Sequence, residues 1–174
     1  GQELSMDHWK LASWPDGSIK WMGVSAEIPR NTSSLKLKVE ERPKKNTKRN
    51  ESPQITISET KDKLIVNTGV LKAYFSKQGQ HLFDSLQYQG RTIAGAASLV
   101  CNTTVDSYMS RLSKITIERR GDIATVVKVE GTHGNSTREW LPFTVRLYFY
   151  AGSERIKMMH SFVFDGDQDK DFIK

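Results

Sequence analysis

A chain of 174 residues can bury one domain of ordinary size, or at most a domain and a half. Its 26 Lys and Arg against 20 Asp and Glu leave a formal net charge of +6, compatible with nucleic acid, an acidic membrane surface, an acidic substrate, or only a Lys-rich solvated surface. There is no run of about 18 apolar residues to make a helical membrane span, the lone Cys101 excludes an intrachain disulfide, and seven Phe, five Tyr and four Trp argue against wholesale disorder.

The first predicted element is a turn. In Trp14-Pro15-Asp16-Gly17, Pro fixes φ, Asp bonds its own backbone and Gly accepts φ > 0. Ser18-Ile19-Lys20-Trp21 then alternates, and a strict period of two puts Ile19 and Trp21 on one face and Lys20 on the other. Aromatic rings suit the apolar faces of sugars and a Lys suits a carboxylate. The competing reading makes these tryptophans core residues of a small β domain. Leu35 to Glu40 alternates strictly and predicts a strand with one apolar and one basic face.

Glu41 to Pro53 carries five basic residues against two acids and no aliphatic or aromatic side chain. Such a stretch cannot offset the entropy of ordering itself, and it reads as a flexible surface loop between strands rather than a domain linker. Without aromatics to stack bases, it gives no reason to expect nucleic acid.

Strands follow at 55–58, 64–66, 70–75 and 82–88, the third preceded by a break at Gly69. Ile115 to Glu118 and Ile123 to Val129 predict a hairpin around Gly121-Asp122. Gly131 to Arg138 reads as a loop. Phe143 to Tyr150 is the clearest strand, and it returns through a turn at Ala151 to Glu154 into Arg155 to Phe164. Helical periodicity does not persist anywhere, and turn signals recur about every 8–12 residues. The fold class is mainly β, an antiparallel barrel or sandwich with little helix.

Chemistry-bearing motifs are sparse. His8, His81, His133 and His160 form no HxH or HExxH spacing. Asp165-Gly166-Asp167-Gln168-Asp169 has the alternate carboxylates of a calcium loop but no distal bidentate Glu, and reads as an acidic turn. Cys101, beside Leu99-Val100, reads as a buried structural thiol. A G-x-S-x-G elbow, a P-loop and G-x-G-x-x-G are all missing, so no metal and no cofactor is expected.

Trp14 to Trp21 resembles a hallmark of the N-terminal domain of the exo-acting rhamnogalacturonan lyase family. Val66 to Gly69, Leu82 to Leu86, Leu141 to Gly152 and His160 to Lys174 resemble successive later segments of that domain, so the likeness extends from about Glu3 to Lys174. It implies a single RIFT-barrel-like β domain over residues 1–174, trimmed at both ends and followed in the family by a helical α/α toroid. The implied activity is β-elimination at galacturonic acid in a pectin backbone. The toroid is expected to supply the catalytic groups, and this chain to be an accessory domain inactive alone. The alternatives are a free-standing carbohydrate-binding module and a structural domain-docking module. Trp14, Asp16, Lys20, Trp21 and His160 are the substrate-binding candidates, and no catalytic residue is assigned. The implied partners are an acidic polysaccharide and the toroid, with no membrane, and the substrate implies a secreted or periplasmic setting in a bacterium.

Overall fold

A computed structural model describes residues 4–39 and 53–173, and every described element is β. The chain divides into two compact units, Gly1–Ser52 and Pro53–Lys174, where the sequence reads as one domain. The basic segment read as a loop lies outside the described residues except for Pro53.

The first unit is an antiparallel hairpin of β1 (Met6–Ser13) and β2 (Ile19–Ala26). Trp9 pairs with Gly23, where a Cβ would run into the indole, so the glycine gives the ring its seat. The register shifts at Leu11 and again at Lys20, each skipped by the opposite strand. The strand expected at 35–40 does not form over its described part. Leu35, Leu37 and Val39 are 55%, 60% and 84% exposed. Alternation supplies two faces, but a strand also needs a partner for its backbone groups, and no described strand pairs here.

The second unit packs two five-stranded antiparallel sheets. One runs β3 (Thr56–Glu59), β4 (Lys63–Asn67), β5 (Leu71–Ser76), β6 (Ser85–Tyr88), β7 (Arg91–Ala94). The other runs β8 (Val100–Asn102), β9 (Ser107–Arg119), β10 (Ala124–Gly134), β11 (Glu139–Tyr150), β12 (Ile156–Phe162). In both, neighbours in space are neighbours in sequence. Leu64, Val66 and Phe75 of the first sheet meet Val127, Val145 and Phe149 of the second in one buried cluster. The rings of Phe75 and Phe149 cross edge to face at 6.2 Å.

Thr68 closes one end of this sandwich. Its hydroxyl donates to the Ser153 carbonyl at 2.8 Å and accepts the Leu71 N–H at 3.0 Å, and its own carbonyl accepts the Gly152 N–H at 2.7 Å. Two hairpin turns, one from each sheet, are thereby joined. The loop expected at 131–138 shrinks to the connection after Gly134, because Gly131 continues β10. A Cβ at Gly131 would strike the Arg111 carbonyl and lie 2.8 Å from Phe143 Cζ, so only glycine lets the three strands close here.

Candidate functional site

The β1–β2 hairpin carries four of the five sequence candidates, Trp14 and Asp16 in its turn and Lys20 and Trp21 on β2. The Gly17 N–H donates to the Trp14 carbonyl at 2.9 Å, with Gly17 at φ 86°, where glycine is favoured. Asp16 Oδ1 accepts the Ser18 N–H at 2.9 Å and the Ser18 hydroxyl at 2.7 Å. These bonds, the hydroxyl first, hold the Asp16 carboxyl below its ordinary value. Asp16 therefore shapes the turn. Lys20, the bulged residue of β2, places its Nζ 4.3 Å from the Trp14 ring centroid. Trp14 and Trp21 are 51% and 63% exposed, so neither is the core residue of the competing reading.

His160 belongs to the other unit. It lies on β12 opposite Val145, with ring neighbours Phe162 at 5.7 Å, Phe143 at 6.1 Å and His133 at 6.5 Å. Desolvation by these neighbours, then the charge of His133, pushes the His160 imidazole down. His133 is buried, and its Nδ1 lies 3.0 Å from the Leu141 carbonyl, so Nδ1 is the protonated nitrogen.

A second cluster escapes sequence reasoning. Arg138 makes a bidentate pair with Asp171 at 2.8 and 2.9 Å, and its guanidinium stacks 4.4 Å over the Trp140 ring. Trp140 meets Tyr108 and Phe164 edge to face at 5.4 and 6.0 Å. Its Nε1–H is buried without an acceptor. Next to it, Leu141 takes φ 46°, and its N–H donates to Asp165 Oδ1 at 2.7 Å. Two carboxylates of the acidic turn, and Asp171 just after it, serve the chain's own donors: Asp165 the Leu141 N–H, Asp167 the Asp169 N–H, Asp171 the Arg138 guanidinium. Cys101 is buried beside Tyr108 and Trp140 as expected, and burial pushes its thiol up.

Comparison with known proteins follows the same division. A family described as the PcRGLX-like protein central beta sandwich domain matches residues 55–174. A family described as the PcRGLX-like N-terminal RIFT barrel domain matches residues 1–41. The RIFT-barrel match falls on the first unit, and the unit with the two packed sheets matches the central sandwich. Residues 42–54 fall between the two matches. The chain is also 33% identical over 178 residues to "Uncharacterized protein YetA" of Bacillus subtilis (strain 168). That alignment takes in 94% of this chain and 20% of YetA, so the chain spans about a fifth of its relative's length.

Proposed function

Because the chain belongs to the PcRGLX-like family, we propose that it is the accessory β portion of a polysaccharide lyase that cleaves rhamnogalacturonan by β-elimination at galacturonic acid. The observation that carries this reading is the Lys20 ammonium seated on the exposed Trp14 ring at a hairpin tip. An indole face takes the C–H side of a pyranose, and an ammonium beside it pairs with a uronate carboxylate.

β-Elimination needs a base for the C5 proton, a cation on the carboxylate to hold the enolate-like charge, and an acid for the leaving oxygen. The hairpin offers the cation and a platform. Asp16 is engaged with Ser18 and is not poised as a base. The role that fits is therefore to bind and orient the acidic polymer, with the chemistry supplied by a helical domain elsewhere in the full-length protein. A polymeric pectin substrate places such a protein outside the cytoplasmic membrane, secreted or periplasmic. Trp21, on the same hairpin, stays in this proposal as a further contact, and His160 stays as a separate candidate on the second unit.

Trp14→Ala and Lys20→Ala in the full-length protein test it. Each removes a contact worth about 0.5–1 kcal/mol, so KM for rhamnogalacturonan oligomers is expected to rise about two- to five-fold while kcat holds. Unchanged KM and turnover in both variants would sink the reading. Calorimetric titration of the 174-residue chain with the same oligomers separates the binding-module alternative, which requires measurable affinity without the rest of the protein.

A further inference from the structure

β11 sorts its residues between two faces. Val145, Leu147 and Phe149 enter the core, so Arg146 and Tyr148 point to the outer side of the sheet. Directly opposed residues share a face. Lys128 and Met159 therefore lie beside Arg146 on that outer side, and Lys157 lies beside Tyr148.

The cations of this face differ in what they hold. Lys128 Nζ lies 3.0 Å from Glu130 Oε1, and Arg146 bonds Glu118 twice, at 2.7 and 2.8 Å. Lys157 is exposed and sets its Nζ 5.2 Å from the Tyr148 ring centroid. Met159, on the same side of β12, is 46% exposed.

Three contacts of a cation with a ring occur among the described residues. In one, Arg138 on Trp140, Asp171 already neutralises the cation. In the other two, Lys20 on Trp14 and Lys157 on Tyr148, no described carboxylate pairs with the ammonium. A ring contact occupies one side of an ammonium and leaves N–H donors for an anion.

We propose that Tyr148, Lys157 and Met159 form a binding site for an acidic polysaccharide on the outer face of the second unit, with a uronate carboxylate on Lys157 Nζ and the C–H side of the sugar across Tyr148 and Met159. The inference rests on the reading of the full-length protein as one that acts on an acidic polymer, and it adds a site on β11 and β12 to the one at the hairpin tip. Charge selects the occupant. Lys128, Arg146 and Lys157 face two carboxylates, Glu118 and Glu130, and the unmatched cation is the exposed one beside the ring. β11 and β12 pair over seven residues without a register shift, a continuous platform for an extended chain.

The test is reductive methylation of lysines in the full-length protein with and without polymeric rhamnogalacturonan, read at each lysine by peptide mass spectrometry. Neutral galactan and polyglutamate are the controls. Labelling of Lys157 is expected to slow with rhamnogalacturonan alone and to recover in high salt. Lys157→Met keeps an aliphatic stem over the ring and is expected to weaken polymer affinity about two- to five-fold, while Lys157→Arg restores it. Lys20, read in the same digest, separates the two readings. Protection of Lys20 without Lys157, or unchanged affinity in Lys157→Met, would overturn this site and leave the acidic-polymer reading standing. No protection at either lysine and no affinity for the polymer would overturn both. Equal protection of Lys157 by polyglutamate would overturn the sugar as occupant, and equal protection by galactan would overturn charge as what selects it.

Discussion

Thr68, Gly131 and His160 show how much single side chains decide here. Thr68→Val removes the acceptor of a buried N–H and the donor to the Ser153 carbonyl. The expected loss is about 1–3 kcal/mol, read as a lowered denaturation midpoint with unchanged slope. Gly131→Ala forces a methyl against the Arg111 carbonyl and Phe143, at about 1–3 kcal/mol of overpacking. His160 gives a pH signature. Its folded pKa lies below the ordinary 6.5, so the unfolded chain takes up the proton first. Stability is therefore full above pH 6.5 and declines as pH falls from there toward the folded pKa. His160→Gln is expected to flatten that part of a melting-temperature profile. The sequence makes the Trp14–Ser18 turn readable because Pro, Asp and Gly act locally. It gives no hint of Arg138 with Asp171, because a pair 33 residues apart leaves no local pattern.

Among the elements, β11 carries the most unusual geometry. Leu141 is held at φ 46° by the Asp165 carboxylate on its N–H and by its carbonyl contact with His133. Asp165→Ala leaves that N–H without its acceptor, and the expected cost is about 1–3 kcal/mol. Asp165→Asn keeps an oxygen there and is expected to recover part of it. Two ion pairs involve this region: Arg146 of β11 with Glu118 of β9, and Arg138, just before β11, with Asp171. Hydrogen bonds from the arginines, ahead of the other causes, hold both carboxyls below their ordinary values. Their contribution is present above the unfolded carboxylate pKa and is lost as pH falls through the folded one, a second decline separate from that of His160. The strands missed in sequence have identifiable reasons. The first half of β9 buries Ser110, whose hydroxyl donates to the Gln80 carbonyl and accepts the Leu99 N–H, and a polar residue on the inner face hides the alternation. β1 loses its period at the Leu11 bulge. β11 reads clearly because Phe143, Val145, Leu147 and Phe149 all enter the core.

The whole molecule divides unevenly. All the buried core residues among those described lie at or beyond Ile55, and the described residues of the first unit form a two-stranded hairpin of the kind that is marginal alone in water. A fragment of residues 53–174 is therefore expected to unfold in one cooperative calorimetric transition. Phe149→Ala is expected to lower that transition by about 3–5 kcal/mol. The all-β class is legible from turn spacing and alternation, but the division into two is not. A charged segment without apolar residues has the same composition whether it spans two strands or two domains. Both sheets also repeat the order of the chain, each strand lying beside the one made just before it. A ribosome therefore releases every strand of the second unit after β3 and β8 next to a partner already synthesised, and loop closure stays short throughout. The sheets can zip in the direction of translation, each new strand of a sheet adding to the outer edge left by the one before, as β12 adds to β11.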